Sequence, residues 1–274
     1  MVISEARRNQ ILKKIALEKY VSIQDLSKEF GMTEMTIRRD LDYLEKRGLL
    51  KRARGGAVIL DNKVGNESLF ENRRNVKTLE KKLIGKAAAA LVSPGDCIGI
   101  DIGTTAYEMS CCIKNIEDLS VITASVPVVN ELMDSPNINL ICTGGEVSST
   151  DRSLIGHNAI RTINEYVLDK AFIGVAGVSL NLGFTLYSMN DTLVKRALIE
   201  RAREVIILTD SSKFGVTRYA FFTSIESADT IITDEGISDE DVAALESKGI
   251  RVLIAKNDES TSDSGMLEKQ TNLE

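Results

Sequence analysis

Five basic residues near the N-terminus have the chemistry needed to bind a polyanion. They are Arg38, Arg39, Lys51, Arg52 and Arg54, and the first two are adjacent. An arginine guanidinium can donate two hydrogen bonds to guanine in the major groove of DNA, or it can contact phosphate. Such residues recognise DNA only when the local structure presents them on one surface, so the surrounding elements decide the interpretation.

The distribution of charge along the chain favours a separate basic head. Residues 1–60 contain thirteen Lys/Arg and eight Asp/Glu, whereas the remainder contains 21 basic and 32 acidic residues. The whole chain of 274 residues therefore has a net charge of −6 despite its basic N-terminal part. This split indicates a small head that binds a polyanion and a larger acidic body.

The composition predicts a cytoplasmic protein without a metal centre or a cofactor. No apolar run approaches the length of a membrane span, and the N-terminus lacks the apolar segment of a signal peptide. The four cysteines, at positions 97, 111, 112 and 142, lack a CxxC pairing, so we expect buried reduced thiols. The single histidine, His157, follows a glycine where a helix is expected to begin.

Three predicted helices position the basic residues of the head. Ser22 is placed to cap the second helix, and Gly31 to end it. Thr33 is placed to cap the third helix, which runs from Glu34 to about Arg47. Two helices joined by a short glycine turn, with polar and basic residues early on the second, form a helix-turn-helix.

The third helix has an apolar face and a polar face. At about 100° per residue, Ile37, Leu41 and Leu44 fall on one side of the helix. Met35 and Arg39 lie on the opposite side. The apolar face would pack in the head, and the other face would fit the major groove of B-DNA.

A short β-hairpin with a basic, glycine-containing tip is predicted at residues 49–58 and would lie along the phosphate backbone. The third helix, the helix caps and this wing supply the residues that we expect at the DNA interface: Ser22, Thr33, Glu34, Met35, Thr36, Arg38, Arg39, Lys46, Lys51, Arg52, Arg54 and Gly55. The pattern alone leaves one alternative open, a three-helix bundle with a solvated basic face.

Three motifs make the head distinctive. They are VSIQDLSKEFG at 21–31, TIRRDL at 36–41, and a wing that begins GLL at 48–50 and ends GGA at 55–57. In these motifs the sequence closely resembles the DeoR family of bacterial transcription regulators. The resemblance implies a winged helix-turn-helix whose DNA partner is an operator.

Alternating apolar and amphipathic segments predict the fold of the body. The apolar runs are 97–102, 121–123, 140–142, 171–176, 205–209, 230–233 and 252–255. Helical patterns occupy 70–91, 107–112, 128–133, 191–202 and 239–248. This alternation predicts an α/β domain with a mainly parallel sheet.

The sequence therefore predicts four regions. They are a winged helix-turn-helix domain at 1–60, a linker at 61–76, an effector-binding and oligomerisation domain at 77–256, and a disordered tail at 257–274.

Glycine-rich segments follow several of the predicted strands. Ligands of parallel α/β sheets bind at the carboxyl ends of the strands. Asp101, Gly103, Thr104 and Thr105 follow the first strand of the body, where two hydroxyl groups and free backbone amides could cradle an anion. An ordinary strand-to-helix turn is the alternative for this segment.

Further glycines and two lysines are expected at the same edge of the sheet. Gly144, Gly145 and Gly177 lie at two other strand ends. Lys213 and Lys195 could each pair with a phosphate group. The convergence of several such strand ends favours a phosphorylated small ligand, although each feature alone is also typical of a tight turn or a solvated lysine.

The body also resembles the DeoR family, in its C-terminal sensor domain. The matching motifs are D-x-GTT at 101–105, GG at 144–145, DKAFIG at 169–174, VKRA at 194–197, DSSKFG at 210–215 and ITD at 232–234. The resemblance implies a domain similar in fold to ribose-5-phosphate isomerase, with a phosphorylated sugar or related metabolite as effector. It also implies that Gly103, Thr104 and Thr105 hold the phosphate, and that Asp101, Lys195 and Lys213 help to hold the ligand.

Two other function classes compete with a regulator. A sugar-phosphate isomerase or deaminase carrying a DNA-binding head would need a positioned carboxylate base. Isomerases of this fold carry an acidic D-G-A-D segment, whereas residues 175–179 read VAGVS, so a sensor without turnover is favoured. A DNA-architectural protein would not require the glycine-rich strand ends.

We expect the regulator to act as a dimer or tetramer, because two recognition helices bind DNA far better than one. A repressor of carbohydrate use that a metabolite releases is the favoured interpretation, and an activator of the same family is the alternative.

Overall fold

The computed structural model describes residues 7–8, 10–12, 14–15, 18, 20–46, 50–59 and 69–257. Within these ranges, no helix is long and apolar enough to span a membrane. The polar domain boundary predicted at 61–66 and the predicted tail beyond residue 257 lie outside the described residues.

The head combines helices with a three-stranded antiparallel sheet. The described residues between 7 and 18 are helical, and Ile11 and Ile15 are buried in the core of the head. The elements that follow are β1 (Tyr20–Ser22), α1 (Ile23–Phe30), α2 (Glu34–Lys46), β2 (Leu50–Ala53) and β3 (Gly56–Ile59). The predicted hairpin is confirmed, and β1 adds a strand that the sequence analysis missed because three residues carry too little periodicity.

The elements of the body alternate between strands and helices. Its strands are β4 (Cys97–Ile100), β5 (Leu119–Thr123), β6 (Ile138–Cys142), β7 (Glu146–Ser148), β8 (Ser153–Ile155), β9 (Leu168–Gly174), β10 (Gly177–Ser179), β11 (Gly183–Leu186), β12 (Ala202–Leu208), β13 (Ala220–Thr223), β14 (Thr230–Asp234) and β15 (Arg251–Ala255). Its helices are α3 (Phe70–Arg74), α4 (Thr78–Ala89), α5 (Thr104–Ser110), α6 (Val126–Leu132), α7 (His157–Asn164), α8 (Met189–Arg201) and α9 (Asp239–Glu246).

Seven of the strands form one parallel sheet, in the order β15-β14-β12-β9-β4-β5-β6. Successive residues of β9 face opposite sides of this sheet. Phe172 packs in one apolar cluster with Ile206, whereas Ala171 and Ile173 pack in another with Ile207. The inner strands of the sheet are therefore buried on both faces, whereas the edge strands β6 and β15 keep exposed residues. Each of the seven strands overlaps one of the seven predicted apolar runs.

The start of the body differs from the prediction in two ways. The helix expected over 70–91 is divided into α3 and α4, because Lys77 adopts a left-handed φ of 55° that interrupts the helical path. Residues 69–76, assigned to the linker, belong to the body, since Phe70 is only 1% exposed and packs in one of its apolar clusters.

Two small antiparallel sheets were also missed. Strands β7 and β8 form one of them, and β10, β11 and β13 form the other. These strands have three or four residues each, so their alternation is too short to predict. The cysteines are unpaired, but none is fully buried as expected. Cys97 and Cys111 are half-buried, and Cys112 and Cys142 are exposed, because all four lie at the end of an element or just beyond it.

Candidate functional site

Helix caps fix the geometry of the helix-turn-helix. The backbone N–H of Asp25 donates to Ser22 Oγ at 3.0 Å, which begins α1. Gly31 ends α1 with a φ of 61°, a left-handed conformation that favours glycine. The backbone N–H of Thr36 donates to Thr33 Oγ1 at 3.3 Å, which begins α2. The three predicted caps are confirmed.

The recognition helix α2 displays the predicted polar face to solvent. Ile37, Leu41 and Leu44 are buried in the core of the head. On the other side, Met35 is 61% exposed and Arg39 is exposed as well. The polar face of α2 is therefore exposed where the periodicity of the helix predicts it.

The other candidate DNA-binding residues differ in their exposure to solvent. The exposed residues are Thr33, Glu34, Arg38, Lys51, Arg54 and Gly55. Ser22, Thr36 and Arg52 are half-buried, and the side chain of Lys46 lies outside what the structure describes. Arg38 forms an ion pair with Glu34 at 3.2 Å between exposed side chains, and such a pair is easily exchanged for another anion.

Arg52 connects the wing to the recognition helix. Its guanidinium forms an ion pair with Asp42 and donates to the carbonyl oxygens of Gly56 and Arg38, at 3.3 and 3.4 Å. Its backbone N–H donates to Glu45 Oε1 at 2.7 Å. Arg52 therefore fixes the wing against α2 in addition to any contact with phosphate.

A buried carboxylate joins the recognition helix to the first helix of the head. Asp40 is 2% exposed and accepts from Arg7 Nε at 2.6 Å and from Arg8 Nε at 2.7 Å. No role was predicted for these three residues. The polar Asp40 on the apolar side of the helix was the available signal, because buried charges are normally paired.

The body contains a cavity of about 250 Å³ at the carboxyl ends of β4, β9 and β12. Of the predicted effector residues, Gly103, Thr104, Thr105, Lys195 and Lys213 line it. Both threonines are 7% exposed. The structure thus brings together five residues from three separate segments of the chain.

Asp101 lies behind the wall of this cavity and holds Lys195 in place. Its carboxylate is 0% exposed, pairs with Lys195 Nζ and accepts from the backbone N–H of Gly174 at 2.9 Å. Lys195 Nζ also donates to the carbonyl oxygen of Gly174 at 2.7 Å. A Cβ on Gly103 would approach Asp101 Oδ2 to 3.3 Å, so this turn fits closely around the carboxylate.

Lys213 and a second lysine occupy another wall of the cavity. Lys213 Nζ lies 3.9 Å from Asp210 Oδ2. Lys81, which the sequence analysis missed, is 6% exposed and lines the same cavity. Burial lowers the pKa of Lys81 to about 8, and the nearby Asp210 carboxylate opposes this shift. The cavity therefore holds a lysine that an added negative charge would stabilise in its protonated form.

Four further lining residues have side chains suited to a polar ligand. Arg73 forms an ion pair with Asp151, which is 3% exposed. Arg218 lies over the ring of Tyr187, 5.1 Å from its centroid, and its Nε donates to a backbone carbonyl oxygen. The predicted site was located from glycine-rich segments at strand ends. These four residues lie outside such segments, so that criterion could not identify them.

Three predicted glycines do not line this cavity. Gly144 and Gly145 have φ values of 68° and 122°, and a Cβ on Gly145 would overlap the carbonyl oxygen of Ile155. A Cβ on Gly177 would overlap the carbonyl oxygen of Val216. Close backbone packing thus accounts for Gly145 and Gly177, and a left-handed turn accounts for Gly144.

Both parts of the chain match models of one protein family. The model of the DeoR-like helix-turn-helix domain matches residues 7–63. The model of the DeoR C terminal sensor domain matches residues 76–235. The match of the sensor domain contains all the residues that line the cavity except Arg73.

The similar proteins include two regulators that match this chain along most of their length. The glycerol-3-phosphate regulon repressor of Escherichia coli strain K12 is 31% identical over 228 residues, which cover 83% of this chain and 90% of the relative. The HTH-type transcriptional regulator GolR of Listeria innocua is 32% identical over 254 residues, which cover 91% of this chain and 98% of the relative.

A solved structure of ribose 5-phosphate isomerase A from Methanocaldococcus jannaschii overlaps with half of the chain. It covers 50% of this chain and 55% of the isomerase, at 21% sequence identity and a TM-score of 0.38.

Proposed function

The chain belongs to the DeoR family of transcription regulators, and from this premise we propose that it is an operator-binding repressor of a carbohydrate-utilisation operon. A phosphorylated sugar or related metabolite binds in the cavity of the body and lowers the affinity of the head for DNA. One of the named relatives supports this proposal, because it is a repressor of a glycerol-3-phosphate regulon.

The DNA-binding step uses the exposed face of α2 and the wing. Arg39 is positioned to contact a base edge, while Lys51 and Arg54 in the wing contact phosphate. Two heads set about one helical turn of DNA apart would bind two half-sites, so the functional unit is a dimer or tetramer held together by the body.

The cationic lining of the body cavity is the observation that carries the effector proposal. Arg73, Lys81, Lys195, Lys213 and Arg218 all line a space of about 250 Å³. A phosphate monoester has a charge of about −1.5 to −2 at pH 7, so several cations around one small cavity favour such a ligand.

Carboxylates and hydroxyls in the same cavity suit the sugar part of the effector. Asp191 and Asp210 can accept hydrogen bonds from sugar hydroxyl groups. Thr104 and Thr105 can both donate and accept. The mixture of cations with acceptors therefore fits a phosphorylated polyhydroxy compound better than inorganic phosphate alone.

A thermal-shift screen tests the effector class. The panel contains aldose phosphates, ketose phosphates, polyol phosphates and their unphosphorylated parents. We expect one or more phosphorylated compounds to raise the melting temperature, because a ligand that binds only the native fold stabilises it. Stabilisation by the unphosphorylated parents alone would contradict the phosphate assignment, and turnover of a sugar phosphate would contradict the assignment as a regulator.

The DNA-binding step is tested on duplexes selected by the wild-type protein from a random pool. Arg39→Ala should weaken binding to the selected duplex by ~1–3 kcal/mol if Arg39 contacts a base edge. Arg203→Ala, which removes a side chain that is 75% exposed on the body, is the matched control and should bind normally. Equal affinity of both variants would place the contact surface elsewhere.

Lys213→Ala separates the two steps. It should bind the operator like the wild type, because the substituted residue belongs to the cavity and not to the head. It should also lose most of the response to the phosphorylated effector. Loss of DNA binding by a folded Lys213→Ala protein would contradict the sensor assignment.

A further inference from the structure

Helix α3 is the first described segment of the body after the head, and one loop holds it at three points. Residues 149–152 connect β7 to β8. The backbone N–H of Phe70 donates to the carbonyl oxygen of Thr150 at 2.8 Å. The other two points are ion pairs, Arg73 with Asp151, and Arg152 with Glu71 at 2.7 Å. Any displacement of this loop therefore loosens α3 at all three points.

Two cationic groups of the effector cavity belong to α3 or form a hydrogen bond with it. One is the guanidinium of Arg73, which lines the cavity and belongs to α3 itself. The other is the ammonium of Lys81, which donates to the carbonyl oxygen of Arg73 at the end of the helix. Asp151, the partner of Arg73, lines the same cavity and is 3% exposed. The contacts that hold α3 thus share their charged groups with the candidate effector site.

We propose that Arg73 couples the effector cavity to the segment that leads to the DNA-binding head. An anionic ligand competes with Asp151 for the Arg73 guanidinium and repels the Asp151 carboxylate, because both are negatively charged. The ligand also attracts the Lys81 ammonium, which then no longer holds the carbonyl oxygen of Arg73. This role rests on the proposed function, because it explains how effector binding is transmitted.

The consequence is a shift between two positions of α3. While Arg73 is paired with Asp151, α3 is fixed on the loop at 149–152. The ligand-bound state favours a separated pair, so the population moves away from the arrangement that holds the head for operator binding. Phe70, which is 1% exposed, keeps α3 attached to the body in both states.

The first experiment removes the competing carboxylate without any ligand. Asp151→Asn is compared with Asp169→Asn, which changes a carboxylate paired with Arg203 on the surface of the body. We expect Asp151→Asn to lower the affinity for the selected duplex at least fivefold and to speed hydrogen exchange of the amides at 69–76. Asp169→Asn should do neither. Wild-type affinity and exchange in a folded Asp151→Asn protein would overturn the proposal.

The second experiment separates transmission from binding. Arg73→Gln and the conservative Arg73→Lys are titrated with hexose 6-phosphates, polyol phosphates and inorganic phosphate, and thermal shift and DNA affinity are both measured. Because Arg73 lines the cavity, Arg73→Gln should need a higher concentration of the compound that stabilises the wild type. At saturation that compound should still raise the melting temperature of Arg73→Gln, but it should change its DNA affinity less than twofold. Arg73→Lys should recover part of the response, since it restores the charge.

The outcomes distinguish the two proposals. If no phosphorylated compound in the panel changes the DNA affinity of the wild type, the proposed function fails and the coupling role fails with it. If the wild type responds and Arg73→Gln responds equally, the proposed function stands and the coupling role of Arg73 is refuted.

Discussion

The buried ion pair between Asp101 and Lys195 gives the sharpest prediction about stability. The Asp101 side chain is 0% exposed and the Lys195 side chain is 5% exposed. Lys195→Met removes the positive charge but keeps a chain of similar length. The Asp101 carboxylate then remains buried with the backbone N–H of Gly174 as its donor. A buried charge left without its partner is strongly destabilising.

The size of the effect follows from the burial of the pair. Breaking a buried pair by removing one partner costs about 3–5 kcal/mol. The pair between Arg203 and Asp169, with side chains 75% and 37% exposed, should contribute about 0–1 kcal/mol. For a domain of roughly 150–250 residues, each kcal/mol lowers the melting temperature by about 2–4 °C. Lys195→Met should therefore lower it by roughly 6–20 °C, and Arg203→Met by at most about 4 °C.

Thermal unfolding followed by circular dichroism measures this difference, since the chain contains no tryptophan. The double variant Asp101→Asn with Lys195→Met should recover part of the loss, because no buried charge remains. The reasoning is refuted if Lys195→Met melts within about 4 °C of the wild type, the bound set for the surface pair.

Three further predictions follow from the same structure. In salt titrations of DNA binding, Lys51→Ala should reduce the slope of log affinity against log salt concentration by about 0.9. Arg52→Ala should reduce this slope less, because the Arg52 guanidinium is already paired with Asp42. Affinity for a phosphorylated effector should fall as pH rises through about 8, where unliganded Lys81 loses its proton, and Lys81→Met should lack this dependence in calorimetric titrations. Gly85→Ala in α4 should destabilise the body by about 1–3 kcal/mol in urea unfolding, because the added Cβ would lie 2.7 Å from the backbone of α5. Lys82→Ala, at an exposed position of α4, should be nearly neutral.

The parallel sheet could be predicted from sequence because its inner strands are buried on both faces. Such strands appear as continuous apolar runs, which short helices and turns separate. The division between α3 and α4 could not be predicted, since a left-handed Lys77 has no local signature in the way that a glycine does. The strands of the small sheets contain only three or four residues, too few for a period to be recognised.

The candidate effector site could be predicted only where it follows the strand ends. Thr104 and Lys213 follow strand ends and line the cavity as that rule predicts. Lys195, which was predicted on a helix, lines it as well. Arg73 and Asp151 meet across 78 positions of sequence, and no local pattern identifies such a pair. Gly145 was predicted at the effector site but does not line the cavity. A glycine is needed there because a side chain would overlap the carbonyl oxygen of Ile155 in β8.

The central claim is that a small metabolite bound in the body controls how tightly the head binds DNA. The direct measurement is a fluorescence-anisotropy titration of the selected duplex with the wild-type protein, repeated in the presence of each phosphorylated compound that raises its melting temperature. The account predicts that at least one compound weakens DNA binding by about 5–150-fold, the usual range of coupling between two sites. Stabilisation of the fold by these compounds with unchanged DNA affinity for every one of them would contradict the account.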